Sequence, residues 1–155
     1  MTANSKWSLG FASHTGDYIV IIPKGSPLPA RRSVTVTTAV DSQPDMKLAI
    51  YMGESKKAEE NYPLSNIRLD CFEKGAAGIP RIKLTFYAYE HSVFRIGVRY
   101  KEGEPEQDVS IIPATGLSEE DMNRMREMIN KMATQVTPQE VGGGDLGVVP
   151  LSVVV

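Results

Sequence analysis

Hydrophobic and polar positions alternate with a period of two along most of this chain. Over Arg81–Phe86, Ile82, Leu84 and Phe86 alternate with Arg81, Lys83 and Thr85, the pattern of a strand with one buried face. Phe94, Ile96 and Val98 do the same against Arg95, Gly97 and Arg99. In Met46–Met52, Met46, Leu48, Ile50 and Met52 share one face, with Lys47, Ala49 and Tyr51 on the other. Ser33–Thr38 is alternating and β-branched, and Tyr18–Ile22 is a short apolar run. Ile67, Leu69 and Cys71 mark another strand, and Val109–Ile112 a last one. The period then changes. Met122, Met125, Ile129 and Met132 are spaced three and four apart, one helical stripe. Ser118-Glu119-Glu120-Asp121 gives that helix a capping-box-like start, so sheet hands over to helix at Gly116–Ser118.

Turn chemistry separates these runs. Pro23–Pro29 reads PKGSPLP, Asp41–Asp45 reads DSQPD, and Glu73–Pro80 holds Gly75, Gly78 and Pro80. Gly53–Pro63 is a polar connection, and Lys101–Asp108 a charged hairpin link. About seven or eight short strands without intervening helices predict a mainly β fold. The expected architecture is a two-sheet antiparallel β-sandwich followed by one C-terminal α-helix and a flexible tail. Its expected divisions are a disordered N-terminus over 1–7, the sandwich over 8–116, the helix over 117–135 and a Gly-rich linker with an apolar tail over 136–155. Thr137-Pro138 stops the helix, Gly142–Gly144 is the linker, and the end reads VVPLSVVV.

Composition narrows the function classes. With 155 residues, 41% hydrophobic and 23% charged, the chain is long enough for one domain with a real core. A net charge of −2 argues against a nucleic-acid binder, which needs a concentrated basic surface. Arg31-Arg32 and Lys56-Lys57 read as solvated loop charges. Cys71 is the single cysteine, so no intramolecular disulfide forms, and its alternation with Ile67 and Leu69 reads as a small core residue. MTANSKWSLGF has no secretory apolar region, and no run is long enough to span a membrane. The expectation is a cytoplasmic protein with no membrane partner. His14 and His91 lie far from each other and from Cys71, without metal-ligand spacing. Gly142–Gly144 lacks the Lys-Ser/Thr of a phosphate loop, and Glu119-Glu120 suits a helix N-terminus without catalysis. Nothing points to an enzyme, a metal or a bound cofactor.

The order and spacing of several short pieces resemble the substrate-binding region of the 70-kDa heat-shock chaperones. They are Ser8-Leu9-Gly10, Ile22-Pro23-Lys24 with Leu28-Pro29, Met52-Gly53-Glu54 with Lys56-Lys57-Ala58, and Gly78-Ile79-Pro80-Arg81-Ile82 running into Leu84-Thr85-Phe86. Glu106-Gln107 and Gly116-Leu117-Ser118-Glu119-Glu120 complete the series, which runs from about Ser8 to Met125. The resemblance implies a sandwich whose loops form a channel for an extended, leucine-rich peptide. Loop backbone would satisfy the peptide's N–H and C=O groups, and an apolar pocket would select a side chain.

By that resemblance Phe11, Ser13, Val36, Met46, Leu48 and Ile82 line the groove, and His14 and Ala39 arch over the peptide. Met46, Leu48 and Ile82 have a plainer reading as core residues on alternating strands. Departures from the family pattern fall in the same places. His14 stands at an arch position that is usually apolar, and Met46 where the pocket usually has valine. Tyr87–Ser92 replaces an acidic-glycine turn. Ala77 stands where an arginine would latch the groove against Asp41, and Ser55 where another would face the lid. These changes predict a weakly latched groove with fast exchange. The sequence has no counterpart of the family's nucleotide-binding domain, and its lid helix is short.

The expected function is chaperone-type binding of extended hydrophobic segments of unfolded proteins, independent of ATP in this chain. ATP would enter only through a missing or separate nucleotide-binding domain. The alternative is a structural or protein-interaction sandwich that has lost the groove. The tail Val148–Val155 has the composition of a chaperone client, and Gly142–Gly144 would let it reach its own groove or a neighbour's.

Overall fold

The computed structural model describes residues 4, 5, 7–70, 72–89, 93–101, 103–111, 120, 123, 124, 127, 131, 139–141 and 146–153. Among them are ten strands: β1 Leu9–Ala12, β2 Tyr18–Ile22, β3 Ala30–Thr38, β4 Met46–Met52, β5 Tyr62–Leu69, β6 Arg81–Tyr89, β7 Val93–Arg99, β8 Gln107–Ile111, β9 Gln139–Glu140 and β10 Val148–Leu151. They form two sheets. One has the order β2-β1-β4-β5; the other runs β10-β3-β6-β7-β8, with β9 also on β3.

The period-2 pattern decides which side chains face inward. Met46, Leu48 and Ile50 of β4 pack with Ile82, Leu84 and Phe86 of β6, Val34 and Val36 of β3, and Ile96 and Val98 of β7 in one core cluster. Lys47, Arg81 and Lys83, their polar neighbours, are exposed. Phe11 of β1 stacks on Phe86 across the sheets, ring centroids 5.9 Å apart. Burying a side chain of that size stabilises the fold by about 2–3 kcal/mol relative to leaving it in water. Gly10 is required by the backbone: a Cβ there would lie 2.2 Å from the Ile19 carbonyl oxygen, where the β1–β2 register shifts.

The mainly β sandwich is as expected, and three details differ. Leu9–Ala12, which the alternation pattern does not mark as a strand, pairs with both β2 and β4. Asn4 and Ser5, expected to be frayed, are held by a bridge from Asn4 to Pro27 and by a bond from the Ser5 N–H to the Ser26 carbonyl. The flexible tail is corrected most. Residues 148–151 pair in parallel with β3, so the sandwich is not wholly antiparallel. The physical reason is that β6 satisfies only one side of β3. Its other side is a row of unpaired backbone groups that an apolar extended segment can fill.

The helix expected over 117–135, with its stripe Met122, Met125, Ile129 and Met132, lies outside the described residues apart from five exposed positions. These are Glu120, Asn123, Arg124, Glu127 and Lys131. Cys71, His91, Ser92 and the Gly142–Gly144 linker also lie outside them.

Candidate functional site

Three loops gather at one end of the sandwich: 13–17 after β1, 39–45 between β3 and β4, and 72–80 before β6. The first is set by turn chemistry. The Ser13 N–H donates to the Asp17 carbonyl at 2.9 Å, and Gly16 holds φ 86°, a left-handed conformation that suits glycine. The second is organised from inside by Gln43, which is only 1% exposed. Its Oε1 accepts from the Ala39 and Val40 N–H groups at 2.9 and 3.3 Å. Its Nε2 donates to the Asp45 carbonyl at 2.6 Å. One amide thus fixes the loop at both ends.

The second and third loops are tied together by backbone. Asp41 Oδ1 accepts from the Ala77 N–H at 2.8 Å, Ser42 N–H donates to Gly75 O at 2.9 Å, and Gly78 N–H to Thr38 O at 3.1 Å. The arginine that the resemblance would place at Ala77 is absent, and the main chain of the same residue contacts Asp41 instead. Asp45 adds an ion pair with Arg68, 2.9 Å. Ser55 bonds within its own loop, to Asn61 and Glu60.

An extended segment, Gly147–Val153, lies between these loops and the edge of β3. Its carbonyls are taken on several sides. Thr35 N–H donates to Gly147 O at 2.9 Å, His14 N–H to Pro150 O at 3.0 Å, and Lys47 N–H to Ser152 O at 2.8 Å. Gln43 Nε2 donates to Leu151 O at 3.0 Å, and Ser152 Oγ to His14 O at 3.3 Å. Leu151 is 0% exposed and belongs to the core cluster. Donors from both sheets therefore converge on one strand-like segment with one buried anchor. Ser152 and Val153 also line a cavity of about 610 Å³, walled by His14, Asp17, Lys47, Tyr51 and Lys57 among others.

Of the eight residues expected at the groove, Phe11, Val36, Met46, Leu48 and Ile82 are all 0% exposed and share the core cluster with Leu151. They are core residues, in the same cluster as the anchored leucine. Ser13 and Ala39 are half-buried and His14 is exposed. His14 and Ala39 meet the segment's surroundings through backbone: His14 directly, Ala39 through Gln43. Sequence reasoning missed Gln43 and the Lys47 amide. Alternation marks Lys47 as an outward side chain and says nothing of its N–H. A glutamine inside DSQPD reads as turn filler.

Among the described residues, the hydrogen bonds to Gly147–Val153 named above join neutral groups. Among the same residues, two groups with raised pKa lie away from the segment. Burial, then the Glu54 charge, raises the Tyr18 phenol, which donates to the Ser8 carbonyl at 2.9 Å. Burial and Glu106 raise Tyr87, on the opposite sheet. No group of three or more His, Cys, Asp or Glu among the described residues has the geometry to hold a metal.

The family model described as Hsp70 protein matches residues 5–140, a span that includes all three loops and every described strand except β10. The chain belongs to the Hsp70 family. It is 31% identical over 120 residues to Chaperone protein dnaK of Emiliania huxleyi, a match covering 77% of this chain. The same match covers 19% of that relative, so the chain spans about a fifth of its length. Within this Hsp70-family chain, the segment Gly147–Val153 follows the matched residues and pairs with β3 inside them.

Proposed function

We propose that this chain provides a chaperone-type groove for extended apolar segments of unfolded proteins. The observation that supports the reading is the segment Gly147–Val153, an extended strand gripped by main-chain donors from β3, β4 and the loop after β1, with one fully buried leucine. Four of its carbonyls are bonded without reference to sequence, and one side chain is selected by an apolar pocket. That combination suits clients that are varied in sequence and alike in being extended and apolar. Membership of the Hsp70 family and the likeness to a chaperone named dnaK point the same way. Binding itself needs no nucleotide in this reading; if these residues belong to a longer chaperone, coupling to ATP hydrolysis would come through its nucleotide-binding domain. The work is cytoplasmic, in keeping with the composition.

Fluorescence polarisation with a labelled leucine-centred heptapeptide tests the reading. The full chain carrying Leu151→Asp, which expels the docked segment, is expected to bind it saturably in the micromolar range. Adding Met46→Trp should weaken that binding by tenfold or more by filling the pocket. No saturation at high micromolar protein would leave the sandwich as an interaction module without a groove.

A further inference from the structure

The segment in the groove is part of the same chain, and its contacts are of an unusual kind for a permanent strand. Leu151 is fully buried, but Val148 is 45% exposed, and Val149, Pro150, Ser152 and Val153 are only half-buried. One Ser152 hydroxyl aside, its hydrogen bonds to the groove are made by backbone. Pro150, which has no N–H to satisfy, offers only its carbonyl, and His14 takes it. The segment enters at Gly147, whose φ of 88° is the left-handed conformation that glycine adopts freely. A flexible residue, a single anchor and sequence-blind bonds describe a docked ligand.

Resting on the peptide-groove reading above, we propose that Gly147–Val153 is a tethered occupant of the groove, displaced when a client binds. Tethering gives the segment an effective concentration on the order of a millimolar. A segment whose free counterpart bound with a Kd of about 10 µM would then weaken every client about 100-fold. The groove would be closed by default and would open to clients that are tight or abundant. The register also states what a client must bring. It needs a leucine-sized residue at the Leu151 position, an acceptor carbonyl on each side of it, and no requirement for an N–H at the residue before.

Amide hydrogen exchange and peptide titration, run side by side on the full chain and on Leu151→Asp, test this. Protection at His14, Lys47 and Thr35 should fall at least tenfold in the variant, while Leu84 and Ile96 keep theirs. Affinity for a labelled leucine-centred heptapeptide should rise at least tenfold. Leu151→Ala, a milder change, should move both readouts in the same direction by less. Unchanged protection at His14 and Lys47 in both variants would overturn docking, and peptide binding by the wild-type chain would then leave the groove reading intact. Loss of protection at Leu84 and Ile96 together with His14 would also overturn the proposal, because β10 would be a permanent strand. Freed amides with no peptide binding at any concentration would overturn the groove reading itself, and displacement by clients with it.

Discussion

β3 is paired on both sides, and the two sides are unlike. Toward β6 it forms an antiparallel ladder from Ala30–Ala88 to Thr37–Arg81. Ile82, Leu84 and Phe86 on that partner are all fully buried. Toward β10 the ladder is parallel and short, from Val148–Thr35 to Leu151–Thr38, and Leu151 is the one fully buried side chain it brings. The first side is secured by side chains as well as backbone, so exchanging its strand would empty the core. The second is secured mostly by backbone, so any extended segment with an apolar anchor satisfies it. The same strand is thus a structural element on one side and, on the function proposed above, a receptor on the other. Stability and exchangeability are separated by how much apolar side chain each pairing buries.

The comparison breaks most visibly at Phe86. Phe86→Ala empties the core and removes the stack on Phe11, and is expected to cost about 3–5 kcal/mol in urea unfolding. Leu151→Ala removes a side chain that is just as buried, yet should cost less than about 2 kcal/mol. The reason is that the native state can release β10, so the loss is capped at the docking free energy. Equal costs at the two positions would make the two sides of β3 equivalent. Gly10→Ala comes next. Its Cβ meets a backbone oxygen that cannot rotate away, and about 1–3 kcal/mol should be lost with no change in the relative affinity of tail and client. Gln43→Ala should cost a similar amount but at the receptor side. Ala39 and Val40 lose their acceptor and Leu151 O loses its donor, so peptide affinity in the Leu151→Asp background should fall about tenfold.

The structural side of β3 was legible in the sequence and the receptor side was not, and the reason is physical. Period-2 alternation records which side chains are buried, so β2 and β4 were bounded to the residue, and β6 and β7 were located, from Tyr18, Met46, Ile82 and Phe94 onward. The groove is built from main-chain N–H groups of His14, Lys47 and Thr35, which every residue but proline possesses and no pattern records. Resemblance to the 70-kDa heat-shock chaperones named Phe11, Val36, Met46, Leu48 and Ile82, all side chains, and these lie in the core cluster with Leu151. It gave no place to Gln43, whose side-chain amide is bonded both to the loop and to the segment. The tail was readable only as composition: VVPLSVVV suits a client, but its docking depends on a long-range parallel pairing that local sequence does not encode.

The smallest expected effect concerns the latch. The resemblance assigns Asp41 an arginine partner, and the structure gives it the Ala77 N–H in an exposed bond of 2.8 Å. A bond of that kind, open to water, is worth about 0.5–1 kcal/mol, and salt screens little of it because the donor is a dipole and not an ion. Asp41→Ala should therefore raise the peptide dissociation rate by about two- to fivefold in stopped-flow measurements. Neighbouring bonds, from Ser42 N–H to Gly75 and from Gly78 N–H to Thr38, keep the two loops joined, so the unfolding midpoint should hardly move. The increase should be nearly the same at 50 mM and 500 mM salt. A strongly salt-dependent effect would mean that Asp41 acts through a cation after all, and the receptor side of β3 would then carry an ionic clasp that its backbone bonding does not require.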